Sequence, residues 1–265
     1  LVPAGSTGES ATLTHDEHIE VVETVVEAVD DVPVIAGSGS NSTHEAVSLS
    51  HRAADAGADG LLLIAPYYNK PEQAGFREHF EAVADAVDLP QIVYNVPSRT
   101  GQNVEPETVA ALASHGNIAA YKAASGDIAQ VSEVIERTRN EDFAVLSGDD
   151  VLTLPMISLG GRGVISVAGN VEPERMVALV AAALDGDFDR ARELHYELSP
   201  LFRQLFAETN PIPVTAAMAM RGHAPERLRS PLTELSAEPR AELEAILTEL
   251  DENSVEPGAE PTEAR

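Results

Sequence analysis

Cysteine and tryptophan are absent from this 265-residue chain, and lysine occurs only at Lys70 and Lys122. Without cysteine there are no disulfides and no thiolate metal ligands, a composition compatible with the cytoplasm. No stretch approaches the roughly 18 consecutive apolar residues of a membrane span. The opening Leu1-Val2-Pro3-Ala4-Gly5 lacks a basic region ahead of an apolar core and does not read as a signal peptide. Positive charge is also scarce: 17 lysines and arginines face 44 acidic residues, for a formal charge of −27. Such a surface repels nucleic acid and anionic membranes. The acid is spread through the chain beside 43% apolar residues. That combination fits a folded protein suited to high salt, where screening shortens the reach of self-repulsion.

Short apolar runs alternate with amphipathic segments. The segments 32–37, 60–66, 91–94, 118–123, 143–146 and 163–167 read as buried strands, and Leu1–Ala4 as the end of another. Helical patterns at 15–29, 43–56, 73–87, 106–114, 128–137 and 151–159 separate them. Polar residues gather just after the strands, which predicts an α/β chain built as a (β/α)₈ TIM barrel with its site on the loop face. An open doubly wound sheet is the weaker competitor, because no Gly-x-Gly-x-x-Gly turn follows the first strand. Seven strands are visible, so the barrel is expected to lack its first strand–helix unit. Residues 1–170 form this barrel in the sequence reading and 171–250 a C-terminal helical region. An acidic, proline-containing disordered tail is expected over 251–265.

Lys122 stands inside an apolar run, Ile118-Ala-Ala-Tyr-Lys-Ala-Ala124. Burial depresses an amine's pKa and keeps part of it neutral, as a carbonyl-attacking nucleophile requires. Around it stand Gly5-Ser-Thr-Gly-Glu9, with paired hydroxyls and free amides, and Pro66-Tyr-Tyr-Asn69. Tyr94-Asn-Val-Pro-Ser-Arg-Thr-Gly101 adds a phenol and a guanidinium suited to a carboxylate. Nucleophile, phenol and clamp together imply aldolase-type chemistry on a 2-oxo acid.

In order and spacing these motifs, with Gly163-Val-Ile-Ser-Val167, resemble the dihydrodipicolinate synthase/N-acetylneuraminate lyase family, from Leu1 to about Arg221. The resemblance implies a pyruvate Schiff base on Lys122, with Tyr94, Ser6 and Thr7 passing protons. It implies that Tyr68 completes the relay of a neighbouring subunit. Arg99 would hold the carboxylate of the second substrate, with Ser98, Gly148, Ile165 and Asn210 near the pocket. Pro97-Ser-Arg-Thr-Gly101 is similar to the synthase branch, so pyruvate would condense with L-aspartate semialdehyde, on the route to lysine and diaminopimelate. No metal or organic cofactor is implied, and the assembly would be a homotetramer. Ala123 departs from the pattern, since synthases carry glutamate after the lysine. A sugar-acid lyase of the same family and a catalytically idle barrel are the alternatives. Ser10, Ala11, His15, His18, Asn41, Glu45 and Tyr67 match the positions at which lysine binds in feedback-inhibited members. His15 and His18 share a helix face, and Glu45 is placed to pair with an amine.

Overall fold

The computed structural model describes residues 1–253. Six strands run parallel: β1 (Ile35–Gly37), β2 (Gly60–Ile64), β3 (Gln91–Asn95), β4 (Ile118–Ala123), β5 (Ala144–Ser147) and β6 (Gly163–Val164). Each pairs with its sequence neighbour, in the order β1-β2-β3-β4-β5-β6. An open doubly wound sheet reverses its winding at a switch point. No reversal occurs among these six strands, and the arrangement is that of a TIM-barrel-like α/β fold.

Helices α1 (His15–Ala28), α2 (Thr43–Asp55), α3 (Gln73–Ala86), the one-turn α4 (Pro97–Thr100), α5 (Pro106–Ala113), α6 (Ile128–Thr138) and α7 (Thr153–Ser158) alternate with the strands. Local chemistry sets their starts. Thr14 and Glu17 form a reciprocal capping box on α1, Ser42 caps α2 and Asp127 caps α6. Proline occupies the first turn of α4 and α5, where its missing N–H costs nothing. Four more helices follow: α8 (Pro173–Leu184), α9 (Phe188–Gln204), α10 (Ile212–Met220) and α11 (Ala237–Asn253).

Side chains on successive strand residues face opposite ways, and the two faces have different cores. Leu61, Leu63, Val93, Tyr121, Ala123 and Val145 face outward, against Phe76 and Phe80 of α3 and the neighbouring helices. Leu62, Ile92, Tyr94 and Ala120 face the other way, among Ile64, Leu146 and Ile165. Full burial of a side chain such as Phe76 or Phe80 contributes about 1.5–3 kcal/mol, so the outer layer holds helices to sheet. The C-terminal helices gather a separate apolar cluster around Leu179, Leu198, Leu201 and Leu243.

Four segments differ from the sequence reading. Leu1–Ala4 lies beside β1 without forming a regular strand. Its Leu1 and Pro3 carbonyls accept from Ile35 and Gly37 at 2.8 and 3.0 Å, but Pro3 has no N–H to return. The contact is close enough that a Cβ on Gly37 would lie 2.3 Å from the Ala4 carbonyl oxygen. The expected helix over 151–159 divides into a 3₁₀ turn, Asp150–Leu152, followed by the short α7, and the strand over 163–167 shrinks to two residues. Both changes trace to Asp150, which turns inward and takes the N–H groups of Val167 and Ala168. Residues 251–253, expected to open the tail, continue α11, and 254–265 lie outside the described residues.

Candidate active site

Lys122 and Tyr94 are register partners on β4 and β3, both on the inner face. The ammonium lies 4.1 Å from the centroid of the Tyr94 ring. Burial brings the Lys122 pKa down to about 8, against an opposing pull from the negative charge of Asp150. At pH 7.5 about a quarter of such an amine is neutral, against roughly one part in a thousand for an ordinary lysine. That difference makes Lys122 a competent nucleophile.

The lysine opens into a cavity of about 1240 Å³ at the C-terminal ends of the strands. Ser6, Thr7, Tyr94, Ser98, Arg99, Gly148, Ile165 and Asn210 line it together with Lys122. Nine of the ten catalytic and substrate positions taken from the sequence therefore share one chamber. Tyr94 is buried, which pushes its phenol pKa up, while Arg99 and a hydrogen bond with Ser6 favour the phenolate. Thr7 is tied to another partner, its hydroxyl accepting from Asn210 Nδ2 at 3.0 Å. Arg99 does not sit on a loose loop: Pro97 starts the single turn of α4, and Gly101, at φ 81°, ends it. Its guanidinium donates to the Asn210 carbonyl at 2.8 Å. The Asn210 side-chain oxygen is buried without a partner, an acceptor available to a ligand's N–H or O–H.

Gly148 follows β5 and packs against the lysine itself. A Cβ there would lie 2.9 Å from Lys122 Cε and 3.0 Å from Ala124 Cβ. Ala123 belongs to the helix-facing core, so a carboxylate in its place would point away from the cavity. Behind β3 and β4, the Tyr121 hydroxyl accepts from Asn95 Nδ2 at 2.8 Å and from Gln130 Nε2 at 3.3 Å. Burial raises the Tyr121 pKa to about 12, so this phenol stays protonated and structural.

Sequence reasoning passed over Asp149, Asp150 and Ser166. Asp149 and Ser166 line the cavity. Asp150 is 1% exposed and accepts from Ser166 Oγ at 2.5 Å, Ala168 N at 2.9 Å and Val167 N at 3.1 Å. The available signal was the polar run Ser147-Gly-Asp-Asp150 directly after a strand.

Other expected positions lie elsewhere. Tyr68 is 89% exposed at φ 72°, outside the cavity, so within one chain it does not join Lys122. Lys70, the other lysine, lays its stem against Gly101, where a Cβ would come within 2.7 Å of its Cε. His15 and Glu45 meet at 3.0 Å, and Ser40 donates to the same carboxylate. His18 parts from them: it is buried, with Nε2 at 2.5 Å from the Gly37 carbonyl. Ser10 and Ala11 lie in a 3₁₀ turn, Asn41 accepts from Asn69 through its carbonyl, and Tyr67 is partly exposed. Among the described residues no group of three or more metal-ligating side chains could hold a metal ion.

The family model for the dihydrodipicolinate synthetase family matches residues 1–250. This chain belongs to that family. A 4-hydroxy-tetrahydrodipicolinate synthase of the halophilic archaeon Haloarcula marismortui is 69% identical over 256 residues, spanning 97% of this chain and 84% of the relative. The crystal structure of dihydrodipicolinate synthase from Aquifex aeolicus is 50% identical, with a TM-score of 0.92 over 94% of this chain and 86% of that one. A chloride-inhibited dihydrodipicolinate synthase from Acinetobacter baumannii, in complex with pyruvate, is 41% identical. Its TM-score is 0.91 over 94% of this chain and 86% of that one.

Proposed function

We propose that this chain condenses pyruvate with L-aspartate semialdehyde to 4-hydroxy-tetrahydrodipicolinate through a Schiff base on Lys122. The observation that carries the reading is a buried amine, its pKa near 8, in one cavity with Tyr94 and the Arg99 guanidinium. The neutral amine adds to the ketone carbon of pyruvate, and water leaves to give the imine. Loss of a methyl proton makes the enamine, whose carbon bonds to the aldehyde. The α-amine of the second substrate then displaces Lys122 by transimination and closes the ring. Tyr94, with Ser6 and Thr7, moves the protons, and Arg99 holds the substrate carboxylate, a pairing suited to its planar fork. The reading calls for no metal or organic cofactor.

We read the six strands and the Leu1–Ala4 segment as part of a (β/α)₈ barrel, with 1–170 as barrel and 171–250 as helical region. Support comes from the two-faced sheet and the separate C-terminal cluster. A homotetramer in the cytoplasm is part of the same reading. The exposed, positive-φ Tyr68 fits an interface, and none of the described helices is long and apolar enough to cross a membrane. The His15–Glu45 pair supports feedback inhibition by lysine, which a titration of L-lysine into the assay tests.

Borohydride trapping with pyruvate decides the central point. A reduced adduct on Lys122 and none on Lys70 is the expected result, with turnover on aspartate semialdehyde preferred over cleavage of 2-keto-3-deoxy acids. An unmodified Lys122 would overturn the Schiff-base reading and favour an idle barrel.

A further inference from the structure

The turn after β5 wraps over the end of the lysine. Register sets Lys122 against Leu146 and Ala123 against Ser147, and the Gly148 amide donates to the Ala123 carbonyl at 2.7 Å. Two residues on, Asp150 is buried in the wall behind the cavity. Each of its three contacts is a donor: the Val167 and Ala168 N–H groups and the Ser166 hydroxyl. The Ser166 oxygen also accepts from the Gly169 N–H at 2.7 Å, which leaves its O–H to point at Asp150. A proton on Oδ2 would displace a backbone N–H, and one on Oδ1 would have to turn the Ser166 hydroxyl away. The pattern is that of an ionised carboxylate, held against the burial that opposes its charge.

We propose that Asp150 is the buried counter-charge of Lys122, a positioning residue that sets how readily the amine loses its proton and fixes the Ser166–Ala168 wall. The inference deepens the Schiff-base reading above and rests on it for its catalytic meaning. Other charged or titratable groups around the chamber are Asp149 and Glu208, which line it, Tyr94 beneath the amine, and Arg99 on α4. Asp149 differs from its neighbour in facing the chamber, so substrate and water reach it. Asp150 is sealed from both and acts through a medium of low polarity, where one charge is felt most strongly. Too little counter-charge leaves the pocket unable to stabilise the iminium, which carries the same positive charge as the ammonium. Too much keeps the amine protonated.

The test does not need pyruvate. A neutral aryl fluoride labels uncharged amines, and its rate against pH, read by peptide mass at Lys122, gives the midpoint of that amine. Lys70 in the same digest is the internal reference. Asp150→Asn keeps the shape and an acceptor oxygen but removes the charge. The midpoint at Lys122 is expected to fall by about one unit, with Lys70 unchanged. Asp150→Glu, which restores the charge at the cost of the turn geometry, should return most of that shift. If the Asn variant does not fold, Asp150→Ser removes the charge with a smaller side chain. An unmoved Lys122 midpoint in a folded neutral variant, whatever its melting temperature, would leave Asp150 a structural brace and overturn the proposal. Failure of pyruvate trapping in the unaltered protein would instead strike the proposed function and leave this measurement intact.

Discussion

Gly148→Ala tests whether the position of the Lys122 amine, and not only its pKa, carries the chemistry. The added methyl would lie 2.9 Å from Lys122 Cε, 3.1 Å from Lys122 Cγ and 3.0 Å from Ala124 Cβ. Carbon atoms prefer about 3.5–4.0 Å, so each contact falls short by roughly half an ångström. Ala124 follows β4 directly and its N–H is held by the Asn95 carbonyl at 2.9 Å, so its Cβ yields little and the lysine stem has to swing. Overpacking of this kind costs about 1–3 kcal/mol of stability. The larger effect falls on rate, since displacing a reacting group by about 1 Å can cost about 100-fold. Imine formation, followed by quenching pyruvate mixtures with borohydride at short times, should slow by about 10- to 100-fold. Gly116→Ala is the control, because nothing lies within 4 Å of its added carbon. Wild-type trapping rates in a folded Gly148→Ala protein would refute the geometric argument.

Arg99→Ala should leave pyruvate trapping nearly intact but raise KM for aspartate semialdehyde. Loss of a charge-assisted contact worth about 1.5–3 kcal/mol corresponds to roughly a 10- to 150-fold increase, and an unchanged KM would remove Arg99 from substrate binding. Burial lowers the pKa of His79 to about 4, so between pH 6.5 and 4 the unfolded chain holds the extra proton and stability falls as pH falls. The loss from this group approaches about 3 kcal/mol, and His79→Leu should flatten urea-unfolding energies between pH 7 and 4.5; an unaltered slope would exclude His79 as its source. Finally, a charge of −27 should make the melting temperature rise from 0.1 to 2 M KCl, as the screening length shrinks from about 10 Å to below about 3 Å. A flat or falling curve would argue against the salt-adapted reading of the composition.

The site was more legible than the backbone that bears it. Lys122, Tyr94 and Arg99 announce themselves by their chemistry: an amine inside an apolar strand, a phenol at a strand end and a guanidinium on the turn just after it. Strands β2, β3 and β4 were readable for the same reason, being continuous apolar runs between polar turns. The region from Asp149 to Asn170 was not. Its geometry depends on Asp150 reaching across 17 and 18 residues to the Val167 and Ala168 amides, a contact with no local periodicity. His18 failed in a related way. Spacing put it on one helix face with His15, but the Gly37 carbonyl claims its ring. Tyr68 entered only through the family resemblance, and within one chain it lies exposed, outside the cavity.

The scarcity of lysine has a physical counterpart in how the scaffold is tied together. Among the described residues every ion pair not made by histidine uses arginine, from the exposed Arg52–Asp16 contact to the Glu172 carboxylate shared by Arg175 and Arg221. Guanidinium groups stay charged at any accessible pH, so the cationic side of these ties does not titrate as the amine in the cavity does, and Arg229 grips Glu17 through two donors. Amine chemistry is thereby confined to two places. Lys122 is buried where its charge can be removed, and Lys70 lies along Gly101, on the turn that ends the helix of Arg99. A carbonyl substrate meeting this protein finds few competing side-chain amines on the surface, and the one that burial makes readier to lose its proton is inside the chamber. Under the Schiff-base reading, selectivity of imine formation then follows from composition as much as from pocket shape.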